Sequence, residues 1–398
     1  MRSRAVPDRA VLPYFAAFGG LGVALSFFGP ALPTLRDQTH STVGQMGLVF
    51  AAQSFGGFVG SIVAGRLFRR FGGPHLVAVA VLVLAAAMAA VGVATSLVVV
   101  VVCGAAIGAG AGTMDVSANT VVPTLVEPDV LVSRMNTLHL SFAVGAVVTP
   151  LLVGLSVGVT DGLDLATVTF AVLLALVGLT LWRHDREEGA RRAAEQHEEA
   201  GATPAAWRLA FVAAYYFLYV GLEVGFAGWI ATYADELHLG GDWPTVLTAG
   251  FWGGFLVGRL VMAWRGDRWG TGPVLWVTGL AATLLAVLIA VVGAAAGALL
   301  VLSALFGGAI APQFPTMLAH LHRAFPLTGP VTAWCIAGSA LGGMVLPPLI
   351  GALFDSSGSG ALPWTVAAAS AGCLVVLFLI DRYALVVDPA GTAVIADA

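Results

Sequence analysis

Twelve times along this chain the sequence runs for the length of a membrane crossing with almost no charge. The stretches are 13–35, 43–66, 74–95, 97–123, 131–158, 164–182, 206–234, 243–264, 272–293, 295–319, 328–354 and 362–384. A helix needs about 20 apolar residues to cross the hydrocarbon core of a bilayer. Membrane strands are about half that length and alternate apolar with polar, which these runs do not. Inside lipid a backbone must satisfy its own hydrogen bonds, and a helix does so within one segment. With 59% hydrophobic and 10% charged residues, the 398-residue chain carries too little polar surface for a set of soluble domains. The expected fold class is an all-α membrane protein with twelve transmembrane helices, here spans 1 to 12 in chain order.

The basic residues set an orientation. Every one of the 18 is an arginine, and only Arg36 falls in an outward loop. Arg66, Arg69 and Arg70 follow span 2, Arg183, Arg186, Arg191 and Arg192 follow span 6, and Arg265 and Arg268 follow span 8. The outward loops carry Asp161, Asp235, Glu236, Asp242 and Asp355. The positive-inside rule places both termini and the long middle loop in the cytoplasm. Because the arginines are spread along one membrane face, the net charge of −4 gives no sign of a nucleic-acid partner. Cys103, Cys335 and Cys373 are odd in number, far apart and inside apolar runs, so no disulfide framework is expected. Arg2, Arg4 and Arg9 before the first run have the polarity of a signal peptide. That run is too long, however, and ends at Pro30 and Pro33 without a small-residue cleavage pattern, so it reads as a retained span. A lysine-free chain rich in Ala, Gly and Val suggests a GC-rich bacterial genome, hence a multi-pass protein of a bacterial inner membrane.

One stretch differs from all the others. Residues 184–205 are polar and mix Glu187, Glu188, Glu195, Glu198 and Glu199 with arginines. They read as a cytoplasmic linker between an N-terminal six-helix bundle, 1–183, and a C-terminal six-helix bundle, 206–398. The halves echo each other at an offset near 195. Gly60, Gly65, Arg66 and Leu67 in span 2 match Gly253, Gly258, Arg259 and Leu260 in span 8; Gly145, Pro150 and Gly154 in span 5 match Gly342, Pro347 and Gly351 in span 11. Tandem halves of this kind point to a secondary transporter with its site at the midplane between them. The 50 glycines, many three or four residues apart, let helices approach closely.

Twelve spans, a six-plus-six repeat, a long inner loop and Gly-Arg-Leu with an arginine cluster after span 2 resemble the major facilitator superfamily. The resemblance covers nearly the whole chain. The family's loop motif after span 2 has an acid before its arginine and glycine; here the stretch reads GRLFRRFG over 65–72, with Arg69 in the acid's place. That departure removes the acid-to-helix contact expected at the inner gate. The second copy, around Asp267 and Arg268, keeps an acid. The residues implied for the gates are Arg66, Arg69, Arg70, Arg259 and Asp267.

Two acids lie where lipid makes them costly. Asp115 in span 4 and Glu223 in span 7 each interrupt a long apolar run. An unpaired carboxylate at mid-helix costs about 2.5–3.5 kcal/mol on insertion scales, so an acid kept there is read first as functional. Asp115 and Asn119 are four residues apart and share a helix face. The segment GAGAGTMDVSANTVVP, 108–123, resembles the glycine-run, acid and Asn-Pro stretch of the fucose–proton symporter branch, with Thr120 where that branch has proline. In span 7, Tyr216, Tyr219 and Glu223 share a face. Tyr-Val-Gly-Leu-Glu-Val over 219–224, then Gly-Trp-Ile-Ala-Thr-Tyr over 228–233, resembles span 7 of the sodium–glucose cotransporter-like group. By this resemblance Asp115 and Glu223 are the proton- or cation-coupling pair.

Around them the expected solute-binding residues are Asn119, Asn136, His139, Gln53, Tyr216, Tyr219, Trp229, Gln313 and Trp334. Asn136 and His139 share a face of span 5, while the repeat offset places Ala333 and Ile336 at the matching positions of span 11. A scaffold duplicated without its polar groups favours function over packing. Gln313 sits in GGAIAPQFPT, 307–316, where two prolines should unwind the helix. Trp229 and Trp334 supply rings for stacking, and the tyrosines supply ring and hydroxyl together.

No phosphate loop, metal-ligand cluster or nucleophile elbow occurs, so an enzyme is not expected; nor is a cofactor beyond the coupling ion, a proton or else sodium. The expected function is secondary active transport of a small hydroxylated solute, a monosaccharide, by proton-coupled symport with alternating access. The alternative is a proton-driven exporter of drugs or metabolites; the drug-exporting branch carries Gly-Pro inside span 5, whereas Thr149 precedes Pro150 here. A non-transporting membrane sensor is the third reading. The partners expected are the solute and the bilayer, with the chain a monomer.

Overall fold

A computed structural model describes residues 10–126, 131–184, 205–322 and 329–384. Each of the twelve apolar stretches is helical. Eleven helices among these residues are long and apolar enough to cross a membrane. The bent pair Leu12–Ser26 and Phe28–Thr39 completes span 1 and brings the number to twelve. The chain is an all-α, multi-pass membrane protein of two pseudo-symmetric six-helix bundles. The expected linker lies outside the described residues from 185 to 204.

Local chemistry accounts for the ends and breaks of the helices. Span 2, Val43–Phe71, opens on a capping box: the Gln45 amide donates to Thr42 Oγ1, and the Thr42 amide donates to Gln45 Oε1. It closes at Gly72, whose φ of 80° lets the chain turn at once into span 3, Gly73–Gly92. Span 1 bends by 45° between Ser26 and Phe28. Pro30 has no N–H to offer the Ser26 carbonyl one turn back and its ring crowds that carbonyl. Span 10 breaks between Ala296–Ile310 and Gln313–His322, where Pro312 and Pro315 remove two backbone donors within one turn. The expected unwinding therefore occurs, and the helix resumes after it as far as His322.

Glycines bring the helices together in the same way in both bundles. In spans 2 and 4 a methyl group on Gly56 or Gly60 would overlap the backbone of Ala105 or Ala109. In spans 8 and 10, Gly254 and Gly258 lie equally tight against Ala304 and Gly308. Spans 1 and 5 meet through Gly22 and Gly145, and spans 7 and 11 through Gly338 and Gly342. Backbone contact of this kind gains dispersion energy without needing a hydrophobic effect, which lipid does not supply between helices.

The bundles touch from one end of the molecule inward to mid-span, where Ser54 meets Gly343 and Phe142 meets Trp252. Arg36 of span 1 bonds to Asp235 Oδ2 at 3.3 Å and Glu236 Oε1 at 3.2 Å, at the end of span 7. Asp355 of span 11 accepts from Thr42 and Gly44 at the start of span 2. Just inside these contacts Phe50 packs edge-on to Trp229 at 5.6 Å. At the opposite, arginine-rich end, Val63 and Arg66 of span 2, Asp115 and Thr120 of span 4, His139 of span 5 and Trp334 of span 11 are exposed. The halves thus meet at the acid-rich end and part toward the arginine-rich end.

Candidate functional site

Asp115 lies ten residues short of Leu125, the end of its span, surrounded by protein yet with an exposed side chain. A group in that position lines a cleft. Asn119 Nδ2 donates to Asp115 Oδ1 at 3.0 Å and to the Asp115 carbonyl at 2.8 Å. The two residues placed on one face by their spacing do meet. Among the described residues no basic group lies within 4.0 Å of Asp115, so the acid is not half of a structural ion pair.

Glu223 is half-buried near the middle of span 7, Ala206–Glu236. It lies within electrostatic reach of Arg259 and next to Tyr219 on its own helix face. Arg259 comes from span 8, Trp243–Trp269, and its guanidinium sits 5.1 Å over the Phe255 ring. His139 of span 5 also lies within reach of Arg259 and rests against the edge of Phe18, with ring centroids 5.5 Å apart. Glu223 and His139, from opposite bundles, thus lie within electrostatic reach of the same arginine. Arg259, one of the residues expected at the gates, lies within electrostatic reach of the acid of span 7. Its helical position ten residues short of Trp269 carries that information, but the repeat of Arg66 at the end of span 2 points elsewhere.

The tyrosines of span 7 have committed their hydroxyls. Tyr219 donates to the Ile310 carbonyl at 3.1 Å and Tyr216 to the Phe314 carbonyl at 3.2 Å. Tyr215 donates to Gln313 Oε1 at 3.2 Å and stacks parallel on Tyr219. All three are buried. They place donors on backbone and side-chain acceptors around the break in span 10. Tyr215 was not among the expected residues; its spacing of four from Tyr219 was the available signal.

The remaining candidates fall in distinct places. Gln313 is buried and serves Tyr215. Gln53 is buried in span 2, and its Nε2 has no acceptor. Trp229 is buried between Phe50 and Phe354, with its indole N–H on the Pro347 carbonyl at 2.9 Å, where the bundles touch. Trp334 is 39% exposed on the arginine-rich side of span 11. Arg66 and Arg70 are exposed at the end of span 2, Arg70 lying 5.2 Å over the Phe71 ring. Asn136, Arg69 and Asp267 sit on their helices, but their side chains lie outside the described residues.

A second polar cluster went unread in the sequence. The second half of span 10 carries His320 into the protein, where it is 9% exposed. Its Nε2 lies 2.8 Å from Asp381 Oδ1 and its Nδ1 2.8 Å from Thr271 Oγ1, while the Trp276 indole donates to Asp381 Oδ2 at 3.1 Å. The cluster ties spans 9, 10 and 12 together at the arginine-rich end. Among the described residues no group of three or more His, Cys, Asp or Glu is placed to hold a metal ion.

A family model described as Major Facilitator Superfamily matches residues 14–252. The mouse (Mus musculus) sodium-dependent glucose transporter 1A is 25% identical over 85% of this chain and 88% of its own. Among solved structures, a bacterial homologue of the human lysosomal transporter Spinster, inward-facing and occupied, superposes with a TM-score of 0.71 at 16% identity, covering 96% of this chain and 98% of that one. FucP, described as a Major Facilitator Superfamily transporter in the outward conformation, superposes with a TM-score of 0.63 at 17% identity, covering 94% and 99%. These superpositions bear on the fold.

Proposed function

This chain belongs to the Major Facilitator Superfamily, and we propose that it carries a small hydroxylated solute, a monosaccharide, by proton-coupled symport with alternating access. It is a transporter and not an enzyme. The observation that carries the finer reading is the pair of acids inside the membrane, Asp115 and Glu223, each without an ion-pair partner within 4.0 Å among the described residues. A carboxyl group lining a cleft can take up a proton from water and release it on the other side, provided that the cleft opens alternately. Asp115 serves as the coupling acid, with Asn119 orienting its carboxylate. Glu223, with Arg259 and His139 near it, serves as the second titrating group. Asn136, His139 and Gln53 offer hydrogen bonds to solute hydroxyls, Trp334 offers a ring, and Tyr216, Tyr219 and Gln313 shape the cavity wall from behind. Trp229 closes the acid-rich end. The mouse relative is named as a glucose transporter, which supports a sugar as solute.

The arginine-rich end faces the cytoplasm of a bacterium in this reading, and both termini lie there. The conformation is then open to the cytoplasm. Sodium in place of the proton is the reading favoured by the name of that same relative.

The test is Asp115→Asn in proteoliposomes. The variant should lose uphill accumulation driven by a proton gradient, yet still exchange labelled solute for unlabelled solute. Full accumulation by Asp115→Asn would remove Asp115 from the coupling role.

A further inference from the structure

Span 8 carries a groove that the transport site does not use. It holds about 680 Å³ and opens between Gly253, Val257, Met262 and Trp269 of span 8, Thr278 of span 9 and Leu305 of span 10. Val257 is 57% and Leu305 54% exposed, so the groove faces outward along membrane-spanning helices, where lipid lies. The close contact of Gly254 with Ala304 forms its floor.

The residues that line the groove are uncharged, but two arginines of span 8 follow at one end of it. Arg265 lies three residues beyond Met262 and four before Trp269, so it continues the lining face of the helix. Its guanidinium sits 4.0 Å from the centroid of the Trp264 ring, which is 73% exposed. Arg268 is exposed one turn further on. Among the described residues neither arginine has a carboxylate within 4.0 Å. A guanidinium resting on an indole face still has N–H groups to offer a phosphate oxygen.

We propose that the groove of spans 8 to 10 binds an anionic phospholipid. One acyl chain lies along the apolar groove, and the phosphate meets Arg265 and Arg268 at the arginine-rich end. Trp264 and Trp269 hold the level of the headgroup region, where amphipathic rings settle. Charge decides the lipid class: two arginines with no carboxylate within 4.0 Å among the described residues attract a net negative headgroup, and gain less from one that also carries a positive ammonium.

The test is native mass spectrometry of the delipidated full-length protein, with phosphatidylglycerol or phosphatidylcholine of identical acyl chains. Wild type should bind phosphatidylglycerol more tightly at its first site. Arg265→Gln should lower that affinity about fivefold, the effect of one basic residue at an anionic surface, and leave phosphatidylcholine unchanged. Gly253→Leu should weaken both lipids, because a side chain there meets nothing within 4 Å and enters the groove. Equal binding of the two lipids to wild type would overturn the proposal without any variant. So would unaltered phosphatidylglycerol binding in both variants, or a dimer that buries this face in place of lipid.

Discussion

The carboxylate of Asp355 caps, from the opposite bundle, the helix that begins beside Thr42. Its Oδ2 accepts the Thr42 hydroxyl at 2.9 Å and the Gly44 amide at 2.9 Å. Helix N-termini carry unpaired amides and a partial positive charge, so an acid placed there is stabilised. The same end carries the Arg36 bonds to Asp235 and Glu236. Both sets must break if the halves part here.

Removing the cap should therefore open this end. Asp355→Ala should raise the population separated at the acid-rich end by a few-fold, in line with the roughly 0.3–1 kcal/mol of an acid at a helix N-terminus. Pulsed electron paramagnetic resonance between labels at His40→Cys and Ser356→Cys, both exposed sites, reads the distance. An unchanged distance distribution would show that the contact does not hold the halves together.

Span 7 braces the break in span 10 through phenol hydroxyls. Tyr219→Phe leaves the buried Ile310 carbonyl without that donor and should cost about 1–3 kcal/mol. Thermal unfolding in detergent should show a lower midpoint. Tyr219→Phe at wild-type stability would mean that the carbonyl finds another partner.

Glycine packing predicts a contrast within one helix. Gly60→Ala drives a methyl into the backbone of Ala109 and should cost about 1–3 kcal/mol. Gly65→Ala, five residues on, meets nothing within 4 Å and should be neutral or slightly stabilising. Equal effects at the two positions would contradict the arrangement of spans 2 and 4.

The His320 cluster should behave as one unit. His320→Ala removes a group bonded to both Thr271 and Asp381, and Asp381→Asn alters the acceptor of His320 and Trp276. The double variant should cost less than the sum of the singles, since residues in one network couple by about 0.5–3 kcal/mol. Additive losses would mean that the contacts act independently.

Most of the fold is legible in the sequence, and the reason is lipid. A bilayer demands long apolar helices, so length and composition alone locate the spans. Pro312 likewise announces the break in span 10, whereas Pro30, read from the sequence as closing the first run, bends span 1 instead. The site is legible only where spacing on one helix decides, as for Asp115 and Asn119. Arg259 beside Glu223 and His139, and His320 beside Asp381, depend on which helices pack together and at what depth. No single-helix pattern encodes that. Nor does a sequence tell a tyrosine that faces solute from one that caps a broken helix, because both call for a ring with a hydroxyl inside the membrane.

The measurement that bears most directly on the account is uptake of a panel of labelled hexoses by proteoliposomes, with and without an inward proton gradient. Symport predicts that one sugar accumulates above its outside concentration only when the gradient is present. Absence of gradient-driven accumulation for every hexose, in protein shown to be folded, would contradict it.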